Sequence, residues 1–306
     1  MSTEGSTKAI LAALAANAGI AAAKFVGYFI TGSSSMLAEA VHSVADTSNQ
    51  GLLLFGQREA RKAPDSLHQF GYGRSRYFYS FVVALVLFSL GAIFALYEGY
   101  HKISHPAPLT SPIVAIVILV VAIGLESYSF RTAVVESRPL KGKSTWWQFI
   151  RRSRSPELPV VLLEDTGALI GLVLALSGVG LTILTDNPVW DGIGTACIGV
   201  LLGVIAVILM VEMHSLLIGE GATVDECQAI RDALENTANI DRVIHLRTQY
   251  LGPDEMLVGA KIALAAHTDL ATVATTIDNA EAAVRAAVPA AQVIYLEPDL
   301  DRALAR

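Results

Sequence analysis

The chain has 306 residues, of which 53% are hydrophobic and only 16% are charged. Its mean hydropathy of +0.51 is typical of a polytopic membrane protein and argues against a soluble enzyme. The net charge of −6 gives no sign of nucleic-acid binding, and the two cysteines, Cys197 and Cys227, form neither a CxxC motif nor a disulfide framework.

Six apolar segments are long enough to cross a hydrocarbon core of about 30 Å, which takes about 20 helical residues. They cover residues 8–31, 35–56, 77–98, 111–131, 160–184 and 190–213. We interpret the first as a retained membrane helix and not as a signal peptide, because no basic region precedes it. The sequence therefore predicts an α-helical membrane protein whose residues 1–215 form a six-helix transmembrane domain.

The second segment carries a polar stripe. At 100° per residue, Glu39, His42, Asp46 and Asn49 fall within about 80° of one helical face. A charged group at the bilayer centre costs at least about 2.5–3.5 kcal/mol on insertion scales. A bound divalent cation would offset this cost, because imidazole and carboxylate groups are its natural ligands. The alternative interpretation is a buried structural pair, in which His42 and Asp46 are hydrogen-bonded to each other.

A second helix must complete such a site, because two ligands do not make a tetrahedral centre. The fifth segment contains Glu164 and Asp165, the only adjacent acidic pair inside a predicted span. We expect Asp165 to be the third ligand. Glu164 points about 100° away, so it is a candidate fourth ligand, supporting carboxylate or proton carrier, with a purely structural partnership to Lys24 or a loop arginine as the alternative.

The basic residues are concentrated in two loops. One loop and its edges hold Arg58, Arg61, Lys62, Arg74 and Arg76, and the other holds Arg138, Lys141, Lys143, Arg151, Arg152 and Arg154. The positive-inside rule therefore predicts that these loops and both termini are cytoplasmic, or on the equivalent side of an organelle membrane. Because the sequence begins without an Arg- and Ser-rich leader, we expect a bacterial inner membrane.

The last third of the chain has a different character. Its pattern predicts a helix at 224–237, strands at 240–251 and 256–264, a second helix at 270–288 and a strand at 291–296. The order α-β-β-α-β is typical of a small α+β, ferredoxin-like module. We assign residues 216–306 to this cytoplasmic domain.

Six helices, the sequence TGSSSMLAEAVHSVADTSNQ, the loop sequence FGYGRSRYF and the α-β-β-α-β tail together resemble the cation diffusion facilitator family. The resemblance covers nearly the whole chain, and it is strongest to the branch that contains the mitochondrial zinc exporter. It implies a homodimer that exports Zn²⁺ from the cytoplasm in exchange for H⁺, with no permanent cofactor. In that family two ligands come from helix 2 and two from helix 5. His42 and Asp46 match the first pair, and Asp165 matches the second position of the other.

The remaining helix 5 position is Val161, where common zinc-transporting members have His or Asp. Water, Glu164, Glu39 or Asn49 are the candidates for the missing ligand. Loss of an imidazole leaves a site richer in oxygen, which weakens selectivity for zinc and admits Mn²⁺, Fe²⁺ or Co²⁺.

Other positions depart further from the family pattern. The loop before helix 3 retains Asp65 and His68, but Tyr72 stands where a histidine is often found, so a weak metal site and a solvated loop both remain open. The tail lacks the family's zinc ligands, and we expect it to serve dimerisation. Glu126 in the fourth segment either takes part in a proton relay or pairs with Arg131.

Two other classes of function compete with transport. One is a metal-sensing or scaffolding membrane protein that binds divalent ions without turnover. The other is an intramembrane metalloenzyme, which would need a motif such as HExxH that this chain does not contain. The expected partners are therefore a second copy of the chain, the lipid bilayer and divalent metal ions, with no nucleic acid and no enzymatic role.

Overall fold

The computed structural model describes residues 3–265 and 268–300. Six long helical stretches account for the first two thirds: α1 (Thr3–Thr31), α2 (Ser34–Ala60), α3 (Ser75–Val86) continuing through a π-helical segment (Leu87–Ile93) into α4 (Phe94–Ser104), α5 (Pro112–Lys141), α7 (Glu157–Thr185) and α8 (Val189–Ile218). A short helix, α6 (Trp146–Arg152), follows α5. Each of the six predicted apolar segments lies in one of these stretches.

Four of the described helical stretches are long and apolar enough to cross a membrane, judged by length and composition: Ser75–Ser104, Pro112–Pro139, Glu157–Thr185 and Val189–Ile218. Their apolar residues face both inward and outward. Leu172 of α7 is fully buried, for example, whereas Val173 beside it is 53% exposed. A helix that is apolar all round belongs in a large core or in a membrane. The predicted class, a helical membrane protein followed by a small α+β domain, is confirmed.

The stretch α3–α4 packs so closely against α8 that the backbones of the two helices are in contact. A Cβ atom at Gly99 would lie 2.6 Å from the backbone nitrogen of Ala196, and one at Gly199 would lie 2.7 Å from the backbone nitrogen of Leu96. No larger residue fits at either position. Small residues at such contacts are how membrane helices approach each other closely.

The start of α2 is fixed by a carboxylate from α8. Asp191 is fully buried and accepts hydrogen bonds from the hydroxyl of Ser33 (2.8 Å) and from the backbone N–H groups of Ser34 (2.8 Å) and Ser35 (3.3 Å). The first N–H groups of a helix have no partner within that helix. A carboxylate there satisfies them and is stabilised by the helix dipole. The helix that carries His42 and Asp46 is therefore anchored at its first turn.

The chain divides into two compact units, Met1–Arg58 with Phe78–Met213, and Glu59–Tyr77 with His214–Arg306. The second unit contains α9 (Val224–Glu235), β1 (Ile240–Gly252), β2 (Glu255–Leu264), α10 (Leu270–Ala287) and β3 (Ala291–Asp299). The sheet order is β1-β2-β3, with β1 antiparallel and β3 parallel to β2. This is the predicted α-β-β-α-β order.

The second unit has its own apolar core, in which Ile230 of α9, Val258 of β2 and Val284 of α10 are fully buried. The loop of residues 59–77 belongs to this unit. Arg76 lies 2.9 Å from Asp254 in the β1–β2 turn, and Gly73 packs so closely on Gly252 that a Cβ atom there would clash.

Candidate metal site

His42 and Asp46 lie one turn apart on α2, with His42 Nε2 3.6 Å from Asp46 Oδ2. His42 is only 1% exposed. Among the residues that the structure describes, neither of its ring nitrogens has a hydrogen-bond partner, and neither does Oδ1 of Asp46. Buried polar atoms are nearly always paired, so each exception calls for an explanation. An imidazole and a carboxylate with free lone pairs are groups that a metal ion would bind.

Asp165 on α7 is held by α5. The hydroxyl of Ser129 donates a hydrogen bond of 3.2 Å to Oδ2 of Asp165. One lone pair of this carboxylate is therefore used, and the second oxygen is left for another partner.

The neighbouring acid, Glu164, has a different partner. It accepts a hydrogen bond of 2.6 Å from the side-chain amide of Asn49, and both side chains are buried. This bond connects α2 to α7 through two residues that the sequence offered as candidate ligands. Glu164 is therefore bonded to Asn49 and not to Lys24 or a loop arginine.

Glu39 belongs to an ion pair. Lys24 Nζ lies 3.1 Å from Oε2 of Glu39 and donates a further hydrogen bond of 2.8 Å to the hydroxyl of Ser43, and all three residues are buried. Gly171 of α7 makes room for Glu39, since a Cβ atom there would lie 2.6 Å from Oε1. The buried ammonium neutralises Glu39, which makes this carboxylate a weaker candidate for metal binding.

The predicted ligands occur as two half-sites, His42 with Asp46 on α2 and Asp165 on α7. Within residues 3–265 and 268–300, no group of three or more His, Cys, Asp or Glu side chains is close enough together to hold a metal ion. Binding by all three residues therefore requires the two half-sites to approach each other.

A cavity of about 370 Å³ opens between α2, α5 and α7. Its polar lining consists of Gln50, Gln57, Ser129, Thr132, Glu136 and Glu157. Ser129 is also the donor to Asp165, so the cavity wall includes the residue that holds the α7 half-site. The lining residues lie at the helix ends that adjoin the two basic loops in sequence.

Val161, the apolar residue at the expected ligand position, lines the same cavity. It packs against a small cluster formed by Ala133, Phe149 and Leu162. This position contributes apolar surface and no metal ligand.

The candidate metal ligands of the loop, Asp65 and His68, contact each other and Tyr72. Oδ1 of Asp65 accepts hydrogen bonds from the backbone N–H groups of Leu67 (2.9 Å) and His68 (2.7 Å), and Oδ2 accepts one from the Tyr72 hydroxyl (2.6 Å). The Tyr72 bond is the main cause that lowers the pKa of Asp65 to about 2. The His68 ring lies against the Tyr72 ring at 4.4 Å. Asp65 therefore caps the turn that follows it. The Tyr72 hydroxyl, which donates a hydrogen bond, stands at the position where a histidine could have been a third metal ligand.

Two residues that organise the site were not predicted from the sequence. Ser129 gave no signal, because it is one of several hydroxyl side chains in α5, although it lies on the same face as Glu126, three residues before it. Asp191 was not singled out, because its role at the start of α2 depends on the packing of α8 beside α2, which the sequence does not specify.

Residues 10–218 match the cation efflux transmembrane domain. The match covers both half-sites and all six long helical stretches. The chain belongs to the cation efflux family. This is a family of transporters.

The relatives with curated names support the same placement. The chain is 32% identical over 262 residues, or 85% of its length, to the mouse and human proteins named proton-coupled zinc antiporter SLC30A9, mitochondrial. It is 29% identical over 84% of its length to metal tolerance protein C4 of Arabidopsis thaliana. The chain spans 46% of the length of the mouse and human proteins.

The expectation of a bacterial inner membrane is wrong, because the mouse and human relatives are named as mitochondrial. That expectation depended on the missing leader pattern at the start of the sequence. A missing pattern does not identify a membrane. The prediction that this cation efflux protein is integral to a membrane is confirmed.

Proposed function

We propose that this chain is a divalent-cation/proton antiporter, in which His42, Asp46 and Asp165 bind the transported ion. Zn²⁺ is the favoured substrate, since the mouse and human relatives are named as zinc antiporters. Mn²⁺, Fe²⁺ and Co²⁺ are further candidates, because a site with one imidazole and several carboxylates discriminates less strongly for zinc.

The observation that carries this proposal is the burial of the His42 side chain together with its lack of hydrogen bonds to other described residues. His42 is buried in a helix of the membrane unit, and both of its ring nitrogens lack a hydrogen-bond partner within the described part of the chain. A purely structural histidine would have at least one of them paired. The lone pair of a neutral imidazole is a preferred ligand for zinc and for other first-row divalent metals.

Transport would follow from joining and separating the two half-sites. A cation entering the cavity between α2, α5 and α7 reaches Asp165 first, because Ser129 lies both on the cavity wall and against Asp165. The attraction between the cation and Asp46 would then draw α2 and α7 together. Closing the helices on the cavity side and opening them on the far side is the alternating access typical of midplane sites.

Proton exchange follows from the same ligands. A metal ion binds only to a neutral imidazole and to ionised carboxylates, so binding releases protons from these groups. Protons arriving from the opposite side would displace the cation from the same atoms. The same side chains would therefore carry H⁺ in one direction and the metal ion in the other.

We further propose that residues 1–215 form the transport domain, and that residues 216–306 join two copies in a homodimer. In the C-terminal unit, α9 and α10 contact each other on one face of the sheet, which leaves the face with Arg247 and Tyr295 open. No permanent cofactor and no enzymatic step are needed. The bound ion is a substrate.

The test is metal flux into proteoliposomes that contain the purified chain, with Asp46→Asn and Asp165→Asn beside the unaltered protein. Each substitution keeps the side-chain shape and removes a charged ligand. We expect each to reduce flux at least about tenfold, since even the groups that support metal ligands are worth 10–100-fold in affinity. Asp241→Asn, at an exposed position of β1, is the matched control and should transport normally.

Normal flux in either ligand variant would contradict the assignment of that residue. Binding of Zn²⁺ by the unaltered chain without any flux would instead favour the sensing or scaffolding function.

A further inference from the structure

Glu126 lies near the middle of α5 and points into the membrane unit. It is 8% exposed, whereas Leu125 and Tyr128 on the same helix are 50% and 74% exposed. An acidic side chain at this depth of a membrane helix is costly and marks a functional position.

Within the described part of the chain, no hydrogen bond or ion pair joins Glu126 to another side chain. Arg131, its possible partner by sequence, does not pair with it. The other buried acids of the membrane unit differ in this respect. Glu39 has Lys24, Glu164 has Asn49 and Asp191 has the serines that begin α2.

Glu126 shares a narrow recess with Asp46. The recess is lined by these two acids together with Asn17, Ile20 and Ser43, and it offers no free cation among the described residues, since Lys24 is engaged with Glu39 and Ser43. Two carboxylates that face one buried space repel each other when both are ionised. A divalent cation between them would be attracted to both carboxylates, and this attraction would offset their mutual repulsion.

Helix α5 therefore contributes to both half-sites from a single face. Ser129, three residues after Glu126, holds Asp165 of α7, and Glu126 itself faces Asp46 of α2. Residues three apart lie side by side on a helix. α5 is thus a third helix that contributes side chains to the site, in addition to α2 and α7, which carry the predicted ligands.

The other protein candidates for the fourth ligand already have partners. Asn49 and Glu164 are bonded to each other, and Glu39 is paired with Lys24, which leaves one oxygen each of Asn49 and Glu39 without a hydrogen-bond partner among the described residues. We propose that Glu126 is the fourth protein ligand of the transported cation, in place of the side chain missing at Val161. This inference rests on the proposed transport function.

The resulting ligand set has one imidazole nitrogen and carboxylate oxygens from Asp46, Glu126 and Asp165. Such a set suits Mn²⁺ and other hard divalent ions better than a ligand set with two histidines does, because hard ions prefer oxygen ligands. Glu126 would therefore also influence which metal ion is bound.

The test is a metal-binding titration of the full chain in nanodiscs, with Zn²⁺ and Mn²⁺, comparing the unaltered protein with Glu126→Gln. We expect the dissociation constant for both ions to rise at least about tenfold, and the visible absorption of bound Co²⁺ to change because one carboxylate ligand is lost. Glu126→Asp, which keeps a carboxylate, should recover part of the affinity and of the Co²⁺ spectrum.

The matched control is Asp186→Asn. Asp186 is exposed at the end of α7 and has a left-handed backbone conformation, which asparagine also adopts. Its binding constants should equal those of the unaltered chain.

Unchanged metal affinity and Co²⁺ spectrum in Glu126→Gln would overturn the inference while leaving the proposed function intact. The inference also fails if this variant binds metal normally and loses only proton movement, since Glu126 would then carry protons and not metal. Failure of the unaltered chain to bind any divalent ion would overturn the proposed function, and the inference with it.

Discussion

At the scale of single residues, the site is defined by which polar atoms have partners. Among the described residues, no hydrogen bond reaches the ring nitrogens of His42 or one oxygen of Asp46. Asn49, Glu164 and Glu39 each have a bonded partner on another helix, although one oxygen of Asn49 and one of Glu39 are left unpaired within the same described part. Periodicity along α2 was enough to predict His42 and Asp46 as a pair, because residues four apart share a helical face. It could not separate them from Glu39 and Asn49, which share that face but bond elsewhere.

The loop residues give a prediction about charge. The Tyr72 hydroxyl stabilises the ionised form of Asp65, so Tyr72→Phe should raise the pKa of Asp65 from about 2 toward its ordinary value of 3.8. A carboxyl group with a lowered pKa stabilises the folded loop above its ordinary pKa, and that contribution is lost as the pH falls toward 2. In the variant this contribution should be smaller, and its loss should be complete at a higher pH, because the pKa of Asp65 in the folded protein lies closer to 3.8. The measurement is an NMR titration of the Asp65 carboxyl carbon.

Tyr295→Phe, at an exposed position of β3, is the control and should leave the Asp65 titration unchanged. An Asp65 pKa that stays near 2 in Tyr72→Phe would show that the backbone N–H groups alone stabilise the carboxylate.

At the scale of helices and strands, the sequence predicted which elements form but not which of them touch. Apolar length located the six helical stretches, and alternation located β1, β2 and β3. The contacts that organise the site all join different helices: Lys24 to Glu39, Asn49 to Glu164, and Ser129 to Asp165. Each depends on the neighbours that a helix acquires in the bundle, and one sequence without related sequences does not determine them.

The cavity between α2, α5 and α7 gives a prediction about access. Gln57 of α2 lines the cavity, whereas Phe55, two residues earlier and on the opposite face of this helix, is 53% exposed. In a protein with Cys197 and Cys227 replaced by alanine, Gln57→Cys should react with a membrane-impermeant thiol reagent added on the side of the basic loops. Phe55→Cys should not, because a thiol facing lipid does not ionise.

Reaction rates with the reagent on each side of proteoliposomes give the measurement. If Gln57→Cys and Phe55→Cys react equally, or if Gln57→Cys reacts only from the opposite side, the cavity is not the route by which ions enter from the side of the basic loops.

At the scale of the whole molecule, composition and loop charge were enough to predict an oriented membrane bundle, and the periodicity of the tail was enough to predict a small α+β domain. They could not identify the membrane, since loop charge gives the orientation of a bundle in a bilayer and nothing about the compartment. The resemblance to a family of metal/proton antiporters and the match of residues 10–218 to the cation efflux transmembrane domain agree. Both cover the polar stripe of α2.

Exchange requires that metal ions and protons move in opposite directions through this chain. The most direct measurement uses proteoliposomes with an internal Zn²⁺ dye and an internal pH dye, with Zn²⁺ added outside and no initial pH gradient. We predict that Zn²⁺ entry is accompanied by a rise of internal pH, and that an imposed proton gradient, acidic inside, accelerates Zn²⁺ entry. Entry of Zn²⁺ with no change of internal pH, in vesicles that hold a proton gradient, would contradict the exchange of metal for protons.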